Sequence, residues 1–191
     1  MPKKYVLLLC IAFFYALWVY VLRPEPNLAA LSHSYVLNER VQNVAEYQIR
    51  ELESYAGEFR ILERKEYQFG REAELSPVDF AVGWGRMAEA NIYQQIQIRQ
   101  SNRWYFWRTE SAPPIPIREI ETSSANMHVI PSTAQVAKQL KRVQTGDMVY
   151  LKGVLVEVSA KDGWHWRSSL SREDTGNGAC ELMRVDEVRF L

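Results

Sequence analysis

Met148-Val149-Tyr150-Leu151-Lys152-Gly153-Val154-Leu155-Val156-Glu157-Val158 is the stretch whose reading decides the fold. Met148–Leu151 and Val154–Val158 are β-branched, aromatic or apolar almost throughout, which reads as one long strand bent at Gly153. Lys161-Asp162-Gly163 then turns the chain into Trp164-His165-Trp166. A last strand follows around Leu182–Phe190, where Val185 and Val188 alternate with charged residues.

Upstream, Gly146-Asp147 ends a short amphipathic helix that Ser132 is expected to cap and that carries Val136, Leu140 and Val143 on one side. Pro113, Pro114 and Pro116 mark an extended connection. Before it lies the best hairpin candidate: Ile96 and Ile98 alternate with polar residues, Ser101-Asn102 turns, and Arg103-Trp104-Tyr105-Phe106-Trp107-Arg108 returns. Ser76-Pro77-Val78-Asp79 resembles a helix start, interrupted at Gly83-Trp84-Gly85. Tyr47 and Ile49, then Phe59 and Ile61, alternate with polar neighbours in strand fashion. The sum is five to seven strands and two or three short helices. That predicts an α+β, β-rich domain of OB or β-barrel-like kind over residues 46–191.

Two segments precede that domain. Residues 24–45 read as a tether with helical character around Ala29–Leu31 and a partial helical period at Val36, Leu37, Val41 and Val44. Residues 1–23 read as a transmembrane anchor. Tyr5–Leu22 are 18 consecutive residues with no charge, Gly or Pro, and as a helix they would cover about 27 Å, close to the bilayer core. Arg23-Pro24-Glu25-Pro26 stops the run. The apolar core leads into Trp-Val-Tyr-Val-Leu-Arg without the small residues of a signal-peptidase site. Bulky Leu9 before Cys10 speaks against a lipoprotein. Lys3 and Lys4 on one flank against Arg23 on the other keep the N-terminus cytoplasmic and the remainder outside, which in a bacterium means the plasma membrane with a periplasmic or outer-face domain.

Charge supports part of this. The chain balances 23 Lys+Arg with 23 Asp+Glu. Without Lys3, Lys4 and Arg23 the rest holds 20 basic against 23 acidic residues, a net of −3, the opposite of a nucleic-acid binder. No Asn-x-Ser/Thr acceptor occurs, so nothing suggests a glycosylated ectodomain. Two cysteines, one of them in the apolar run, make neither a disulfide framework nor a zinc site, and no metal or cofactor is expected.

Candidate chemistry gathers in few places. Asn126 and His128, two apart in a strand, would share a face, where an imidazole beside an amide serves as base and orienting group or as a hydrogen-bonded structural pair. Ser168–Gly178 is dense in hydroxyls, with Arg172, Glu173 and Asp174 adjacent, and reads as a structured turn. The acids of Arg71–Asp79 read as a helix and turn packed by Trp84. Cys180 is the thiol that His128 or His165 would have to activate. The binding set taken from residue type is Asn126, His128, Arg172, Asp174 and Glu181. Trp84, Trp104, Trp107, Trp164 and Trp166 either stack a ligand or complete a thin core.

Two resemblances attach to these motifs. Asn177-Gly178-Ala179-Cys180-Glu181, with a histidine upstream, faintly resembles the L,D-transpeptidases of bacterial cell walls, but lacks their Ser-His-Gly run and the following arginine. Arg71–Met87, Ser124–His128 and Arg172–Glu181 resemble an uncharacterised family of short, membrane-anchored bacterial proteins. That likeness implies an N-terminal anchor and carries no activity. The expected function is a single-pass anchored, extracytoplasmic binding or scaffolding module. The alternatives are a cell-envelope enzyme using Cys180 with a histidine base, and an OB-like nucleic-acid binder. Expected partners are the lipid bilayer through residues 5–22 and another envelope protein, with no nucleic acid.

Overall fold

The computed structural model describes residues 41–44, 47–171 and 180–191. The 5–22 stretch, most of the tether, and Arg172 and Asp174 lie outside them. Among the described residues no helix is long and apolar enough to cross a membrane.

Among the described residues, nine strands and four short α-helices make up an α+β, β-rich domain: β1 Val41–Val44, β2 Tyr47–Glu66, α1 Arg71–Leu75, β3 Val78–Gly83, α2 Ala90–Tyr93, β4 Gln97–Ser101, β5 Trp104–Arg108, α3 Ile117–Thr122, β6 Ser124–Pro131, α4 Ala134–Arg142, β7 Met148–Ala160, β8 His165–Arg167 and β9 Glu181–Phe190. Five strands close a ring. β2 pairs with β3, β3 with β6, β6 with β9, β9 with β7, and β7 returns to β2, with β6–β9 the one parallel pair. β1 and β8 flank the ring, and β4–β5 form a separate hairpin.

Closure depends on β2, which is 20 residues long and shifts register between Glu51 and Glu53 and again between Ile61 and Glu63. Each bulge adds bend and twist, so one strand serves β7 along most of its length and β3 at its end. β7 shifts between Lys152 and Gly153, as the sequence suggested. A Cβ at Gly153 would strike the Arg184 carbonyl on β9, so only glycine lets the two backbones approach there.

Inside the ring lie Phe59, Ile61, Phe80, Val82, Met127, Leu151, Leu155 and Val185, covered by Val136, Leu140 and Val143 of α4 and its end. Burying a side chain such as Phe80 stabilises the fold by about 1.5–3 kcal/mol. Two further apolar layers lie outside the ring. The segment between β3 and β6 contributes Met87, Ile92, Ile96, Ile115 and Ile120 against Leu62 and Ala81. Tyr47, Ile49, Leu75, Ile130, Val156, Val158 and Leu182 form the other, with Trp164 and Trp166 packed on it. Every residue of β3 and β6 is therefore buried.

Three expectations are corrected. Ser76-Pro77 follows a helix instead of starting one, and Val78–Gly83 is a strand. Proline biases the residue before it towards extended backbone, and Val78, Phe80 and Val82 then alternate into the ring. Thr133, not Ser132, caps α4, its Oγ accepting from Val136 N at 3.1 Å. Val41–Val44, read within a partly helical tether, pair with Tyr47–Arg50 as β1. The short helix α3 after the prolines had no expected counterpart.

Candidate functional site

β3 and β6 face each other with Asp79 opposite His128 and Ala81 opposite Asn126. Since Phe80 and Met127 point into the ring, strand alternation turns Asp79, Asn126 and His128 outward. They are nonetheless sealed: Asp79 is fully buried and His128 is 3% exposed. The cover is the β4–β5 hairpin.

The hairpin turns through Asn102 and Arg103, one residue later than expected, with φ of 51° and 67°. Positive φ at both central residues belongs to the turn whose twist matches paired strands, but for arginine it is a strained conformation. The turn is held from several sides. Arg103 Nη1 donates to Asp79 Oδ1 at 2.6 Å and to the Ser76 carbonyl at 2.9 Å. Its guanidinium lies 3.8 Å from the Tyr67 ring centroid and 5.7 Å from that of Trp166. Arg103 N donates to Tyr67 Oη at 3.0 Å, and the Arg103 carbonyl accepts from Asn126 Nδ2 at 3.0 Å. Gln100 Nε2 donates to Asn126 Oδ1 at 2.5 Å. Burial pushes the Tyr67 phenol above its ordinary pKa.

Asp79 Oδ2 is 2.9 Å from His128 Nδ1, an ion-pair distance when the imidazole is protonated. Among the described residues neither atom has an aligned hydrogen bond. The His128 ring also rests against Trp166, with centroids 4.9 Å apart. Thus one carboxylate is held between a guanidinium and an imidazole, with aromatic rings against both.

Of the residues singled out from the sequence, Asn126, His128 and Cys180 come together. Cys180 Sγ is 3.9 Å from Asn126 Nδ2 and 3.9 Å from the Arg103 carbonyl. Glu181 is 1% exposed and sits opposite Met127 in the β6–β9 register, so alternation turns it to the other face from Asn126 and His128. His165 is on the outward face of β8 with its Nε2 on Glu157, which Arg50 and Arg167 also contact. Trp164 and Trp166 pack inward instead. Sequence reasoning placed Asp79 among the acids of Arg71–Asp79 without its partner His128, and missed Arg103, Tyr67 and Gln100. A signal existed for Asp79, because it is the lone charge in Val78-Asp79-Phe80-Ala81-Val82.

A second polar contact locks the base of the hairpin. Ser124 Oγ donates to the Ile120 carbonyl at 2.6 Å, which leaves it to accept from Tyr105 Oη at 2.8 Å. Burial raises the Tyr105 phenol to about 12.

No family model matches this chain, and no curated protein matches it. Among the described residues no group of three or more His, Cys, Asp or Glu side chains is placed to hold a metal ion.

Proposed function

We propose that the chain is a single-pass anchored binding or scaffolding module, an OB-type barrel held at the outer face of a bacterial plasma membrane. Residues 5–22 support the anchor by length and apolarity, and Lys3 and Lys4 against Arg23 support the outward orientation. The five-strand ring with one parallel pair, and α4 between its third and fourth strands, supports the OB reading. In barrels of that kind, ligands meet the face of strands two and three and the loops joining strands one to two and four to five. Those correspond here to β3, β6, the 67–77 loop and the loop after β7.

The observation that carries the binding reading is that the chain's own hairpin fills this face, with Arg103 ion-paired to Asp79. A partner would then meet a rim of loops and not an open groove. Single-stranded nucleic acid needs a basic groove with free stacking platforms, and neither the filled face nor the net charge of −3 beyond the anchor suits it. One observation favours a cell-envelope cysteine enzyme as a second reading: Asp79 contacts the imidazole of His128 on the face that also carries Asn126 beside Cys180. An oriented imidazole near a thiol is what such chemistry requires.

Tagged full-length chain, captured from intact membranes with its partners, tests the leading reading. Retention after carbonate washing and a specific co-captured envelope protein are expected. A C-terminal reporter active only in the cytosol would reject the assigned orientation. Alkylation separates the two readings. A thiol at Cys180 that stays protected until unfolding favours the binding module, while rapid labelling near neutral pH favours the enzyme.

A further inference from the structure

Three loops converge on Arg103, and each carries an apolar side chain into solvent. Tyr67 Oη accepts from Arg103 N at 3.0 Å, and Phe69, two residues on, is 85% exposed. Cys180 Sγ lies against the Arg103 carbonyl, Ser169 N donates to the Cys180 carbonyl, and the neighbouring Leu170 is 45% exposed. Trp104 follows Arg103 directly and shares the hairpin's outward face with Phe106, which is 48% exposed. Arg99 is opposite Phe106 on that face and makes no ion pair with any described residue. Isolated exposed apolar residues are ordinary, but apolar residues gathered around one turn mark a contact surface. Aromatic rings with arginine beside them match the chemistry of a bilayer's headgroup region.

The path of the chain favours the same occupant. Trp166, 5.7 Å from the Arg103 guanidinium, is opposite Val158 in β7; Val158 is opposite Ile49 in β2, and Ile49 opposite Gln42 in β1. Three strand spacings of about 4.8 Å put β1 roughly 14 Å from Trp166. Eighteen residues separate Leu22 from Val41. The strand at which the chain enters the domain is thus near the apolar rim, and only a short connection separates it from residues 5–22. We infer that the rim of Phe69, Trp104, Phe106 and Leu170, with Arg99, rests on the lipid headgroups of the same membrane that holds residues 5–22. This inference rests on the anchor reading above. The rim would then fix the domain's orientation on the bilayer, a task that the anchor alone does not perform.

The test uses the full-length chain in vesicles containing anionic lipid, with a benzophenone amino acid replacing Phe69 and, as control, replacing Arg189. Arg189 is eight residues along β9 from Glu181, the neighbour of Cys180, roughly 26 Å at 3.3 Å per residue. Irradiation should give lipid adducts at position 69 at about fivefold or more the yield at position 189. Trp104→Ser with Phe106→Ser and Leu170→Ser should lower the yield at position 69 to the control level, with the melting temperature kept as a check on folding. Carbonate washing separates the two claims. A retained chain without lipid adducts at position 69 overturns the rim and leaves the anchor standing. An extracted chain that still forms adducts overturns the anchor and leaves the rim. Adducts in cell membranes that join position 69 to polypeptide or nucleic acid and not to lipid would also overturn the rim proposal.

Discussion

Between β3 and β6 the inward positions Val78, Phe80, Val82, Ala125, Met127 and Val129 are apolar and sealed, whereas three of the outward positions, Asp79, Asn126 and His128, equally sealed, carry a carboxylate, an amide and an imidazole. Burial is the same on both sides of one strand pair, yet it is achieved differently. The inner face gains from apolar area alone, which is non-directional and tolerates small repacking. The outer face gains little net free energy from taking charges out of water, and breaking one of its pairs leaves an uncompensated group. Asp79 Oδ1 and the Asn126 amide find their partners only when the hairpin docks in one pose, with Arg103 over Asp79 and Gln100 on Asn126. The difference teaches that the inner face supplies stability while the outer face selects a single position for the hairpin.

The largest effect should come from the inner face. Phe80→Ala is expected to cost about 3–5 kcal/mol in denaturant unfolding. A loss below about 1 kcal/mol would mean that the ring collapses around the gap, and the inner face would then not be the main source of stability. On the outer face, Arg103→Met should cost about 3 kcal/mol, mostly because Asp79 is left buried without its cation. The paired change, Asp79→Asn with Arg103→Met, should cost less than the two singles summed, by about 1–3 kcal/mol. Strict additivity would mean that the pair does not act as a unit and would break the distinction between the faces.

Tyr105 sharpens the same contrast through pH. Its phenol is raised by burial to about 12, partly offset by the Ser124 hydrogen bond. The folded chain therefore holds this proton more tightly than the unfolded chain, whose tyrosines ionise near pH 10. The contribution is complete below about pH 10 and is lost as pH rises towards 12, by about 3 kcal/mol for a shift of two units. Burial raises the Tyr67 phenol in the same direction. Alkaline melting curves of the wild type and Tyr105→Phe check this. The variant should lose most of the slope, and an unchanged slope would assign it to other groups.

The sequence made the inner face readable and left the outer face obscure, for a physical reason. Residues such as Val149, Leu151, Val185 and Val188 announce burial by themselves, because apolar side chains at period two need no knowledge of their partners. The bend at Gly153 and the hairpin of β4 and β5 were legible in the same way. Asn126 and His128 were legible as a same-face pair, but their partners were not. Asp79 is 49 residues from His128, and Arg103 is 24 from Asp79. Local patterning carries no information about which distant strand will be adjacent. The proline before Val78 also looked like a helix signal when read without the strand that would pair with it.

The smallest effect is expected where the same chemistry meets water. Arg86 and Glu119 form a two-pronged guanidinium–carboxylate pair, Arg86 Nε donating to Glu119 Oε1 at 2.6 Å and Nη2 reaching Oε2. In geometry it matches or exceeds the Arg103–Asp79 contact, and Arg86 holds the Glu119 carboxyl below its usual range. A lowered carboxylate pKa supports the fold above the ordinary carboxylate range, and that support fades as pH falls through the folded value. Both groups stay in contact with solvent, however, so water and salt replace most of what the pair provides. Glu119→Gln should leave the melting temperature unchanged within measurement error at pH 7, in low and high salt alike. A loss approaching that of Arg103→Met would mean that bidentate geometry, and not burial, decides what an ion pair contributes in this protein. The contrast between its sealed and open surfaces would then need a different explanation.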